Sequence, residues 1–226
     1  FMAGLTAGGA LNYFSVILVR TFHKKPVILL IFFMLIIMFP AMITGSSLSS
    51  VVCTGAIIAP ILLKMGIPKA KAGAIVAFGS ILGMIAPPIN IPVMLICDVV
   101  DIPYIGFVLP LLALTLPLAI FCVLFLGLKH VRKIDLEEIK EVLDFKVLET
   151  TKWTVILPLI VLVGLIILQN VLPRIFGGLG MPLIFVIATI VTFFVGNKPK
   201  PFRVVYDGVV KSFSAMSLLM GVGMFV

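Results

Sequence analysis

From Pro26 to Leu63 the chain carries no charged side chain. The same holds from Ala72 to Cys97 and from Ile102 to Leu128. Runs of this kind are buried in a bilayer, because a water-soluble globule must keep a polar exterior and is about a quarter charged. This chain is 62% hydrophobic and 12% charged, with a mean hydropathy of +1.33. The expectation is an all-α polytopic membrane protein. A soluble enzyme, a DNA-binding domain and a disordered tail are excluded together.

The formal charge of +8 does not point to nucleic acid, because the charges sit in short clusters between apolar runs, as membrane-flanking residues do. Cys53, Cys97 and Cys122 lie in apolar stretches, odd in number and without metal-ligand spacing, so neither a disulfide framework nor a zinc site is supported. Phe1 already stands inside one apolar segment and Val226 inside another, which reads as a piece of a longer protein without a signal-peptide pattern.

Seven apolar stretches run over 1–19, 27–43, 51–63, 72–96, 102–128, 153–172 and 179–195, and an eighth opens near Val209. A spanning helix needs about 20 residues to cross about 30 Å of hydrocarbon. The second and third stretches are shorter, about 17 and 13 residues, which at 1.5 Å per residue reach about 25 and 20 Å. If this pair enters and leaves on one side and each other stretch crosses once, Arg174 alone of the 17 Lys and Arg falls opposite the rest. That face is then cytoplasmic and the N-terminal end lies outside. Two full crossings return the chain to the same face, so the charges allow either form. Length favours a re-entrant hairpin over 27–65 whose tip is Thr44–Ser50.

The polar stretch after Leu128 places Ile139, Val142, Leu143 and Val147 at helical spacing among Glu and Lys. It reads as an amphipathic helix, either on the cytoplasmic surface or as a solvated linker between two halves. The organisation expected is a transmembrane arm over 1–26, the hairpin over 27–65, and a broken helix plus a spanning helix over 66–133. The linker helix follows over 134–152, and a further segment covers 153–226. Trp153, Tyr104 and Tyr206 stand at stretch ends, as interfacial anchors do. Gly8, Gly9, Gly73, Gly79 and Gly83 are expected to permit close helix approach.

A proton relay or buried ion pair needs ionisable groups within the spans, and none stands there. Serines without a partnering His, Lys or Asp argue against catalysis. What remains are two helix breaks rich in small polar groups. One is the tip Gly45-Ser46-Ser47-Leu48-Ser49-Ser50. The other interrupts the fourth stretch at Gly83-Met84-Ile85-Ala86-Pro87-Pro88-Ile89-Asn90-Ile91-Pro92. Prolines remove N–H donors and cannot continue a regular helix. Unwound backbone at membrane depth is tolerated where protein buries it or it lines a cavity. Its freed carbonyls, with nearby hydroxyls and the Asn90 amide oxygen, suit Na+, while a half-helix N-terminus suits an anion. The plainer alternative is that Gly and Ser serve helix packing and that Asn90 caps the second half-helix.

At these residues the sequence resembles the large membrane subunit of tripartite ATP-independent periplasmic (TRAP) transporters. The run Ile43-Thr44-Gly45-Ser46-Ser47-Leu48-Ser49-Ser50-Val51-Val52, then Gly55 and Pro60, is similar to that family's hairpin pattern, which often carries Asp where this chain has Ser50. The run from Ala72 to Pro88 is similar to its next, broken helix. The resemblance is specific across residues 40–130.

It implies an inverted-repeat, elevator-type transporter fold, of which this chain holds one re-entrant hairpin and one broken helix before a second repeat begins at Trp153. It implies Na+-coupled uptake of an organic anion, such as a C4-dicarboxylate or sialic acid, in a cell membrane. The partners implied are a small membrane subunit, a periplasmic substrate-binding protein and the rest of the same subunit. Na+ is the coupling ion and there is no other cofactor. The site residues implied are Ser46, Ser47, Ser49 and Ser50 at the tip and Gly83, Ala86, Pro88 and Asn90 at the break. Within that set, Na+ falls to Ser46, Ser49, Gly83, Ala86 and Pro88. A stand-alone anion permease of the same broad group, and a structural subunit with no site, are the other functions compatible with the residues. The structural subunit predicts continuous helices through 44–50 and 84–92.

Overall fold

The computed structural model describes residues 1–131, 153–171, 181–194 and 201–223, and every regular element among them is helical. The expected linker helix over 134–152 and the loop with Arg174 lie outside the described residues. The chain divides into two compact units.

The larger unit comprises the described residues within Ser15–Asp144 and Ser217–Val226, and α3 (Pro26–Thr44) is its centre. Pro26 opens α3 at a position where no N–H is needed. Apolar residues surround it on all sides, as a buried helix requires: Leu29, Leu30, Phe33, Ile37 and Met38 are fully buried. It ends at Gly45, whose left-handed φ of 62° lets its N–H return to Ala41 O at 2.8 Å.

The chain re-enters helix almost at once. α4 (Ser47–Ser50) leads through a π-helical turn (Val51–Gly55) into α5 (Ala56–Lys64). After Gly66 at φ 87° comes α6 (Lys69–Ile85), then α7 (Ile91–Val99) and α8 (Ile105–Gly127).

In lipid, apolar side chains gain little by moving from acyl chains to protein, so helices associate through close packing at small residues. α6 follows that rule against α3. A Cβ on Gly79 would stand 2.7 Å from Ile37 Cγ2, and one on Gly83 would stand 2.4 Å from the Met38 carbonyl oxygen. These contacts advance together along both helices, so α3 and α6 run in the same direction. Gly127 at the end of α8 is pressed against Leu30 near the start of α3, so α8 runs the opposite way. The ends of α3 and α6 and the beginning of α8 therefore lie at one end of the unit. The outer face of α8 is apolar and open, with Leu109, Phe121 and Phe125 exposed.

The smaller unit holds α1 (Met2–Ala7), the beginning of α2 (Ala10–Phe22), α9 (Leu157–Val171), α10 (Met181–Phe194) and most of α11 (Pro201–Gly223). Gly4 meets the Thr192 side chain there, and the rings of Phe1 and Phe185 lie 6.0 Å apart.

Several sequence expectations change. The first stretch is two helices, because Gly9 turns the chain at φ 77°. Neither Gly9 nor Gly73 has a neighbour where a Cβ would stand, so close approach belongs to Gly79 and Gly83. The second hairpin arm is Ser47–Lys64, 18 residues long, and is apolar and long enough to cross a membrane, as are Pro26–Thr44 and Gly106–Gly127. At 1.5 Å per residue it reaches about 27 Å. The short-arm ground for a re-entrant hairpin falls, because the serines taken for a loop are helical. The tip narrows to Gly45 and Ser46.

Candidate functional site

The tip is built by local hydrogen bonds. The Thr44 hydroxyl donates to Pro40 O at 2.7 Å, an acceptor one turn back, and Thr44 Oγ1 accepts from Ser46 N at 3.3 Å. Ser46 is extended and caps the second arm, its Oγ accepting from Ser49 N at 3.5 Å. Ser47 and Ser49 are half-buried, and neither hydroxyl has a hydrogen-bond partner among the described residues. Ser50 is placed differently. It is fully buried, its hydroxyl donates to Ile37 O, and Thr54 Oγ1 donates to Ser50 O at 3.0 Å. Ser50 thus ties the second arm to α3 at the entrance to the π-helical turn. Such turns free backbone groups and recur at functional sites.

The break between α6 and α7 follows from covalent chemistry. In a continuing helix the N–H of residue 87 would reach Gly83 O, and that of residue 88 would reach Met84 O. Pro87 and Pro88 have no N–H, so those two carbonyls lose their helical donors. The next pair is satisfied by rerouting. Ile89 N donates across to Met42 O on α3 at 3.3 Å, and Ile85 O receives Asn90 Nδ2 at 2.9 Å. Asn90 Oδ1 accepts from Val93 N at 3.2 Å and so caps α7. Asn90 is only 4% exposed, and its amide closes both sides of the break. The capping role weighed in the sequence is the one the structure shows.

Ile89 to Met42 is the link between the two breaks: it joins the break to α3 just before the tip at Gly45. The structure brings the tip and the break to the same end of a parallel helix pair. Of the expected site residues, Ser46 lies at the tip, and Ser47 and Ser49 in the first turn of the second arm. Ala86, fully buried, Pro88 and Asn90 form the break. Gly83 lies at its edge and also packs on the Met38 backbone. Ser50 points into the helix pair.

Three neighbours of the two breaks escaped the sequence reading. The Met84 carbonyl is opened by the same rule as Gly83, and the four-residue offset from Pro88 was the available signal. Thr54 depends on a π-helical turn that no pattern announces. Tyr104, expected as an interfacial anchor, has a buried hydroxyl with no hydrogen bond of normal geometry among the described residues. It lies against the Asn90 backbone. Burial pushes its phenol above the ordinary tyrosine range, and the Asn90 backbone opposes that rise.

Chemically, the end of the unit offers bare carbonyls, hydroxyls and no charged side chain among its tip and break residues. That donor set fits a monovalent hard cation better than a transition metal, which prefers imidazole or thiolate ligands. Among the described residues no cluster of His, Cys, Asp and Glu has metal-binding proximity.

A family model described as tripartite ATP-independent periplasmic transporter, DctM component, matches residues 31–223. No curated protein and no solved structure gives a match.

Proposed function

The chain belongs to the family of the DctM component of tripartite ATP-independent periplasmic transporters, and from that premise we propose that it carries one half of a site for Na+-coupled uptake of an organic anion. A multi-pass membrane subunit of a three-part secondary transporter is the setting. The other parts are a small membrane subunit and a periplasmic protein that delivers the substrate, a C4-dicarboxylate, sialic acid or a related carboxylate.

One observation carries the proposal. The Gly83 and Met84 carbonyls are stripped of their helical donors, beside a serine tip tied to them through Ile89 and Met42. Buried carbonyls left unpaired cost about 1–3 kcal/mol each, and a bound cation offsets that cost. Gly83, Met84, Ala86 and Pro88 carbonyls with the Ser46, Ser47 and Ser49 hydroxyls are the groups that would hold it. Ser50 drops out, because its hydroxyl is spent on Ile37 O.

In this reading the hairpin is re-entrant, Trp153 begins a second inverted repeat that completes the site, and the hairpin domain moves as an elevator. A purely structural subunit requires continuous helices through both regions. The interruptions at Gly45 and at Ala86–Asn90 count against it.

The test uses Ser47→Ala and Ser49→Ala in the complete transporter, because these hydroxyls hold nothing else in place. The Na+ concentration for half-maximal uptake should rise about 5- to 10-fold, as loss of one ligand of about 1 kcal/mol or more implies. An unchanged Na+ dependence in both variants would remove the tip from the site.

A further inference from the structure

The basic side chains of the larger unit gather at the end opposite the tip and the break. Arg20, Lys24 and Lys25 stand at the turn from α2 to α3, and Lys64, Lys69 and Lys71 flank the turn from α5 to α6. Lys129 follows the end of α8. Because α3 and α6 run in the same direction and α8 runs the opposite way, both turns and Lys129 come to one end. No other Lys or Arg stands among the described residues of that unit. Its acids there, Asp98 and Asp101, belong to the end of α7 and the turn after it, between the break and the start of α8.

The two turns are anchored. Met65 and Ile67 are buried, and Ile67 N donates to Leu62 O at 3.1 Å. Lys25 N donates to Phe22 O at 2.8 Å, and the Phe22 ring stacks on Phe32 at 5.0 Å. They also lie at headgroup depth, because the described helices able to cross a membrane begin or end here, at Pro26, Lys64 and Gly127. The first turns of α3 and α6, where proteins ordinarily place acids, carry none. Exposed apolar side chains border the charges: Ile28 one turn from Lys25, Leu63 beside Lys64 and Leu128 beside Lys129. A ligand that answers both features has an anionic head and apolar chains.

We propose that this end of the unit binds an anionic phospholipid, its phosphate headgroup among the basic side chains of the two turns and its acyl chains against the apolar ones beside them. Charge scattered over separate loops gives a diffuse attraction to a membrane face. Two anchored turns brought together by helix packing give a site. The proposal is independent of the transport reading, whose groups lie at the other end.

The experiment measures lipid selectivity of the complete transporter in phosphatidylcholine vesicles. Spin-labelled phosphatidylglycerol and spin-labelled phosphatidylcholine are compared by electron paramagnetic resonance, which reads the fraction of each held at the protein. Phosphatidylglycerol should be preferred by about twofold or more over the whole lipid boundary, a strongly selective site being diluted by unselective positions. Lys69→Gln/Lys71→Gln and Arg20→Gln/Lys24→Gln should each remove about half of that preference. Lys198→Gln/Lys200→Gln removes the same charge outside the unit and should leave it unchanged. The melting temperature in a neutral detergent should match wild type in all three, and if one cluster variant fails to fold the other carries the test. Equal losses from all three variants overturn the proposal, because the attraction is then diffuse. A wild type without preference, or a preference that neither cluster variant lowers, overturns it as well.

Discussion

Gly83 and Gly73 sit on the same helix ten residues apart and illustrate how little a residue type says without its neighbours. A Cβ on Gly83 would meet the Met38 backbone at 2.4–2.9 Å, where no rotamer change relieves the clash; Gly73 has nothing within 4 Å. Gly83→Ala should therefore cost about 1–3 kcal/mol and lower the melting temperature in detergent. Gly73→Ala should gain about 0.5–1 kcal/mol from helix propensity alone and raise it. Equal effects from the two would mean that α6 does not press on α3 at Gly83. The serines divide in the same way. Ser46, Ser47, Ser49 and Ser50 are one small-polar run in the sequence. The fold makes Ser46 a cap and Ser50 a tie to α3, and leaves Ser47 and Ser49 uncommitted.

At the scale of elements, the decisive pair is α6 and α7 with the break between them. Pro87 and Pro88 interrupt α6 by removing two donors, a property of the imino acids that needs no tertiary context. Replacing both with alanine would supply N–H groups to Gly83 O and Met84 O and let α6 run on. The expected outcome for Pro87→Ala/Pro88→Ala is a Na+ half-saturation raised at least tenfold, since two carbonyl ligands are lost to the helix at about 1 kcal/mol each. Sodium titrations of uptake measure it, and an unaltered titration would mean that the break supplies no ligands. The hairpin shows the opposite case. Its second arm looked too short because a Ser-rich, Gly-flanked run reads as a loop. The Ser46 cap, the Ser50 hydroxyl on Ile37 O of α3 and the Thr54 hydroxyl on Ser50 O hold those serines in helix instead. The packing partner overrode a weak local preference.

For the whole molecule, the one-sided distribution of Lys and Arg predicts where the hairpin begins and ends. With the three native cysteines replaced by alanine, Lys25→Cys and Lys64→Cys should react with a membrane-impermeant maleimide in inside-out vesicles and stay unlabelled in intact cells. Reaction of both from the outside would invert the proposed orientation. Leu48→Cys, exposed beside the tip, separates the two forms of the hairpin. Ready labelling from the outside marks a pair of full crossings, and protection from both sides marks a tip held within the membrane.

What the sequence determined by itself was whatever depends on covalent chemistry or on the solvent. Uncharged runs select the bilayer, and prolines without N–H interrupt α6 wherever the chain goes. The two breaks proposed as the site follow from the prolines and the small polar runs. The tertiary structure decided which oxygens remain free. Ile89 finds Met42, Asn90 spends its amide on Ile85 and Val93, and Ser50 turns to Ile37. These pairings, several of them between separate elements, are absent from any local pattern. A hydroxyl or carbonyl is committed or available only once packing has chosen its neighbours.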